Sequence, residues 1–136
     1  MTRKELSQVF YLTKEMKMWE EKLNELRSKS LEGTQKITGM PFANTNDCSD
    51  KTFEHISRIM ELQSDIEVFR TNIERKVSEI EKYIMTLDDS ILRQIIEYRC
   101  CQLKSWRDVA AMIGGDNTPD GCRMMFDRQF PREKRK

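Results

Sequence analysis

Val9, Leu12, Met16, Trp19, Leu23 and Leu26 recur in alternating steps of three and four, a spacing that lines them along one side of a helix. Ile59, Leu62, Ile66, Phe69, Ile73, Val77, Ile80, Ile84 and Leu87 repeat the pattern, with one extra four-step near Ile73 that would disturb a supercoil locally. Between the stripes the surface is charged, as at Glu15, Lys17, Glu20, Glu21, Lys22 and Glu25. Neither helix can bury its stripe alone. The simplest solution folds the first back on the second as an antiparallel hairpin, roughly 35–40 Å long. A seam shared with a second copy would satisfy the same stripes, because they specify burial and not the partner.

The segment joining the arms, EGTQKITGMPFANTNDCSD, contains glycines, a proline and short polar residues without a sustained period. This composition predicts a long loop near 33–49, with Ser49 or Asp50 capping the second arm. Such a loop exceeds the usual helix–helix connection. The whole chain is 35% charged and 38% hydrophobic with only 5 glycines and 3 prolines, a balance that suits exposed helices better than a sandwich or barrel.

The last third is different. Thr86 or Asp88 is placed to cap a short helix carrying Ile91, Leu92, Ile95, Ile96 and Cys100. Ser105 caps a second, with Asp108 in the capping-box position; this helix turns Trp106, Val109, Ala110 and Ile113 inward. Gly114 and Gly115 end it, since glycine accepts left-handed backbone. Thr118 then caps a third helix with Pro119 at its first position, where a missing N–H is harmless. Cys122, Met125, Phe126 and Gln129 form its inward face. Asp120, Met124 and Asp127 point away, flanked by Arg123 and Arg128. Small Ala110 and Ala111 would let the two short helices cross closely. Helix, turn and second short helix in this order describe a helix-turn-helix unit, whose second short helix enters a major groove.

Formal net charge is only +1, but it is unevenly distributed: residues 1–98 hold 15 Lys and Arg against 18 Asp and Glu, while 99–136 hold 9 against 5. A basic C-terminal end, finishing in PREKRK, suits a polyanionic partner.

The stretch YRCCQLKSWRDVAAMIGGDNTPDGCRMMFDRQF resembles the end of region four of RNA polymerase sigma factors. Residues 91–130 are more closely similar to the sigma-factor-like, ArpU-type regulators of phages and prophages of Gram-positive bacteria. The first arm, the ITGMP and SDKTF segments and the second arm resemble the front of those proteins. The most specific match is SWRDVAAMIGGDNTPDGCRM. The resemblance implies a sequence-specific DNA-binding transcription regulator. Within that reading Arg107, Arg123, Arg128 and Lys134 are candidates for phosphates, and Asn117, Thr118, Asp120 and Met124 for base edges. Asp120 and Asp127 put negative charge on the face that would meet DNA.

The expected architecture is therefore all-α: helical arms over 1–85, then a helix-turn-helix unit over 86–136. Double-stranded DNA is the expected partner, RNA polymerase a further one, and the arms a surface for homo-oligomerisation. Two competing readings are a small terminase-like packaging protein and a module that grips RNA polymerase without touching DNA. No enzyme is expected. His55 is alone, Cys48, Cys100, Cys101 and Cys122 lack paired metal-ligand spacing, and GGDN lacks the lysine and hydroxyl of a phosphate-binding loop. Asp88 and Asp89 suit a helix N-terminus rather than an acid–base pair. No cofactor is implied. MTRKELSQVF has no secretory apolar core, and no apolar run spans a bilayer, so the expected location is cytoplasmic, with reduced thiols and no membrane contact.

Overall fold

The computed structural model describes residues 1–37 and 45–133, with side chains described outside 30–50. Among these residues every regular element is helical: α1 (Arg3–Ile37), α2 (Thr45–Ile84), α3 (Ser90–Ile96), α4 (Trp106–Ile113) and α5 (Pro119–Gln129). One π-helical turn, Glu97–Cys101, continues α3. α1 has 35 residues and α2 has 40, giving lengths of about 50 and 60 Å at the standard helical rise.

Both long helices exceed the expected arms. Gly33 lies inside α1, and Ser49 and Asp50 lie inside α2, so the connection is shorter than the expected 33–49 loop and neither Ser49 nor Asp50 is a cap. The physical reason is cooperativity: extending an existing helix adds one hydrogen bond per residue, and an interior glycine costs only about 1 kcal/mol relative to alanine. Cys48 and the ITGMP segment carry no described side chains.

α1 begins with a reciprocal cap between Thr2 and Glu5. Glu5 N–H donates to Thr2 Oγ1 at 3.3 Å, and Thr2 N–H donates to Glu5 Oε2 at 2.6 Å. Two otherwise unpaired amides are satisfied together.

Contacts divide the chain into two compact units, Lys14–Thr71 on the one hand and Met1–Thr13 with Asn72–Lys136 on the other. In the first, Leu23, Leu62 and Ile66 are buried, with Met16, Trp19, Leu26 and Ile59 packed around them. Here α1 packs antiparallel on α2 within one chain, and the seam needs no second copy. His55 sits half-buried at its edge, where the ring Nε2–H donates to the Leu26 carbonyl at 2.7 Å.

The second unit has its own core. Leu6 and Val9 of α1 and Ile80 and Ile84 of α2 bury against Leu92, Ile95, Ile96, Cys100, Val109, Ala110, Cys122, Phe126 and Phe130. The boundary expected at residue 86 therefore crosses a packed interior, because the ends of both arms are needed to cover the short helices. Leu6 belongs to the seam although the expected stripe began at Val9. Leu87 lies beyond α2, half-buried in the turn.

α3 is capped by Asp89, not by Thr86 or Asp88: Asp89 Oδ1 accepts from Ile91 N–H at 3.0 Å. Thr86 turns back instead, its hydroxyl donating to the Tyr83 carbonyl at 2.6 Å. Ile91 is exposed rather than inward, while Ile95 and Ile96 are fully buried. After the π-turn the chain reverses through Leu103, whose φ of 57° is left-handed. Packing against the core and an Arg99 Nη1 bond to the Lys104 carbonyl at 2.9 Å hold this otherwise unfavourable backbone.

α5 is fastened to the first turn of α1. Arg3 Nη1 donates to Asp127 Oδ1 at 2.7 Å and to the Phe130 carbonyl at 3.0 Å, and the guanidinium lies 5.3 Å from the centre of the Phe126 ring. Phe126 is 5% exposed at the meeting point of α1, α4 and α5. Phe126→Ala is therefore expected to lower unfolding stability by about 3–5 kcal/mol, read as an earlier denaturant midpoint with an unchanged slope. The Thr2 backbone amide, helped by the Thr2 hydroxyl, holds the Glu5 carboxyl below the usual glutamate range. Capping by Glu5 is thus complete above that range and lost as pH falls through the lowered value. An NMR titration should show the Thr2 amide signal moving with the Glu5 carboxyl, at a midpoint below that of a free glutamate.

Candidate nucleic-acid interface

α4 starts as its sequence requires. Ser105 Oγ accepts from Asp108 N–H at 3.3 Å, satisfying one free amide of the first turn. Val109 and Ala110 face the core, whereas Ala111 is exposed and takes no part in helix crossing. Trp106 is half-buried, its ring 4.8 Å from the Arg99 guanidinium and 5.6 Å from the Phe126 ring centre. Arg107, beside it, is exposed and makes no ion pair among the described residues.

The turn between α4 and α5 depends on Gly114 and Gly115. Gly114 closes α4 with its N–H on the Ala110 carbonyl, at φ 75° and ψ −163°; Gly115 follows at φ 64°. The first combination is accessible almost only to glycine. Asn117 fixes the far side of the turn, its Nδ2 donating to the Gly114 carbonyl at 2.9 Å. Thr118 Oγ1 accepts from Gly121 N–H at 3.0 Å, and Pro119 opens α5. A Cβ at Gly121 would lie 3.0 Å from Thr118 Oγ1, so a larger residue there would displace the capping hydroxyl by a few tenths of an ångström.

α5 turns Cys122 and Phe126 inward, with Met125 half-buried. Phe130, just past its end, completes this face in place of Gln129, which is exposed. The expected outward side is partly revised. Asp120, Arg123, Met124 and Arg128 are exposed, but Asp127 does not simply point away: it is half-buried, bonded to Arg3, and 3.8 Å from Arg123 Nε. Its charge is largely compensated within the unit, leaving Asp120 as the uncompensated acid of this face.

The eight candidate residues thus fall into three groups. Arg107, Asp120, Arg123, Met124 and Arg128 present exposed side chains on α4 and α5. Asn117 and Thr118 each commit one polar atom to the turn, and those bonds leave the Asn117 carbonyl oxygen and the Thr118 hydroxyl hydrogen unused. Lys134 lies outside the described residues. Arg3, Arg99 and Arg132, not singled out from sequence, also line this unit's cleft; Arg3 is remote in sequence, Arg132 follows α5, and Arg99 lies within the resembling stretch but carries no periodic signal.

The thiols are poorly suited to reaction. Burial pushes Cys100 up to about 12 and raises Cys101 and Cys122 as well, so the nucleophilic thiolate is scarce. Among the described residues no cluster of His, Cys, Asp or Glu is placed to hold a metal, and no helix is long and apolar enough to cross a membrane.

Comparison of the chain with protein-family models, curated proteins and solved structures gave no match.

An added methyl at Gly114 would meet no atom within 4 Å, so its effect would come from backbone strain alone. Gly114→Ala is expected to destabilise the unit by roughly 1–3 kcal/mol. Calorimetric melting checks this, and Gly115→Ala provides a parallel left-handed position.

Proposed function

We propose that the chain is a DNA-binding transcription regulator of the phage or prophage type, working in the cytoplasm, in which α4, the glycine turn and α5 act as a helix-turn-helix. The observation that carries this reading is the division of α5: Cys122 and Phe126 fix it to the core, while Arg123, Met124 and Arg128 remain exposed along the opposite side. A short helix held on one face, with Arg123 and Arg128 beside Asp120 and Met124 on its exposed side, has the groups a recognition helix uses in a major groove.

In this reading Arg107, Arg123 and Arg128 approach phosphates, with Lys134 adding to them from the tail. Met124 offers apolar contact to a thymine methyl, and Asp120 accepts from cytosine N4. The Asn117 carbonyl and Thr118 hydroxyl lie at the start of α5, where base edges are approached first. Neutralisation of Asp127 by Arg3 supports the same reading, since it removes one source of repulsion from the phosphate backbone.

The arms would supply the partner surface. Phe53, Ile56 and Met60 are exposed on α2 at helical spacing, opposite the seam that contains Leu62 and Ile66. Such a stripe supports self-association or contact with another protein.

Selection of genomic fragments by the purified protein, followed by anisotropy titration over a range of salt, tests the proposal. The three arginine contacts would give a logarithmic salt slope of about −3 per protomer, and Lys134 would bring it to about −3.6. Arg128→Ala and Arg107→Ala should each reduce that slope by about one, with stability changed by less than about 0.5 kcal/mol. Absence of binding at low salt would leave α4 and α5 without a role on DNA.

A further inference from the structure

The first turns of α1, the π-turn, α4 and α5 surround a cleft of about 390 Å³ in the Met1–Thr13 and Asn72–Lys136 unit. This is within the range of roughly 300–1,000 Å³ that small-molecule sites occupy. Arg3, Arg99, Arg123 and Arg132 line it, together with Tyr11 and Trp106. Among the described residues Asp127 is the one carboxylate paired with any of these guanidinium groups, bonded to Arg3 and near Arg123. Arg99 spends one N–H on the Lys104 carbonyl, and Arg132 is exposed. The cleft therefore holds more positive charge than the chain itself neutralises.

Its other wall is aromatic and wet. Tyr11 is 62% exposed and meets Phe10 edge-to-face at 5.3 Å between ring centres, so much of its ring is open to a stacking ligand. A purely apolar ligand would leave the guanidinium groups without acceptors, and a bare inorganic anion would leave the tyrosine ring in water. A ligand with a planar ring at one end and phosphate at the other satisfies both walls: the ring stacks, and the phosphate takes charge-assisted bonds from arginine. We infer that this cleft binds a nucleoside phosphate, with its phosphates among Arg99, Arg123 and Arg132 and its base against Tyr11. The cleft shares Arg123 with the proposed DNA face, whereas Arg107 and Arg128 lie outside it, so substitutions at those two positions separate nucleotide binding from DNA docking.

The test uses the full chain and ADP as probe. The protein has two tryptophans, so Trp19→Phe leaves Trp106, on the cleft wall, as the optical reporter. Calorimetry and Trp106 fluorescence should both report saturable binding of ADP at one site per chain, about tenfold or more tighter than inorganic phosphate or adenosine alone. Arg132→Ala and Tyr11→Ala alter exposed side chains and should each weaken ADP about tenfold while leaving the melting temperature unchanged. Arg107→Ala should bind ADP like the parent, whatever it does to DNA binding. The inference is overturned if ADP shows no saturable heat through the low millimolar range, if phosphate binds as tightly as ADP, or if Arg132→Ala and Tyr11→Ala both retain parental affinity. Binding restricted to oligonucleotides would overturn it too, and would assign the arginines to a nucleic-acid chain.

Discussion

The C-terminal helices have too little apolar surface of their own to be stable, and the structure follows from how that shortage is met. α3, α4 and α5 contain 7, 8 and 11 residues, below the length at which isolated helices persist in water. Leu6 and Val9 from the start of α1 and Ile80 and Ile84 from the end of α2 cover Ile95, Ile96, Val109 and Phe126. The arms are thus part of the interior that makes the turn and α5 rigid. Rigidity at this point matters for any docking role, because a recognition surface on a fraying helix would have to be ordered at the moment of binding.

Much of the local architecture was legible in the sequence. Ser105, Thr118, Pro119 and the glycine pair act through their own backbone neighbours, so their positions alone determine what they do. The seam residues Leu23, Leu62 and Ile66 were legible for a related reason, as helical period fixes which side chains share a face. The exposed placement of Arg107, Arg123, Met124 and Arg128 follows from the same geometry once Cys122 and Phe126 are inward.

What was not legible depended on partners distant in the chain. Asp127 reads as an outward acid by helical angle; only the arrival of Arg3 turns it into half of an ion pair. Phe130 replaces Gln129 because the chain leaves α5 and folds back, which no helical period describes. Leu103 adopts a left-handed conformation that leucine disfavours, and the π-turn before it adds a residue to the helical repeat, so both evade pattern reading. Ser49 and Asp50 illustrate the opposite failure: good capping residues are also tolerated within a helix when the hydrogen-bond ladder around them continues.

The bond between Arg3 and Asp127 joins residues separated by 124 positions. At a synthesis rate of about 5–20 residues per second, the first turn of α1 waits roughly 6–25 s before Asp127 is even polymerised. Until Phe126 and Phe130 have also been made, Leu6 and Val9 lack part of the C-terminal side chains that bury them. The nascent chain thus carries an open apolar end on a partly formed hairpin, a transient surface on which a chaperone or a neighbouring nascent chain would find purchase. Burial of this end is complete only once Phe130 has been made.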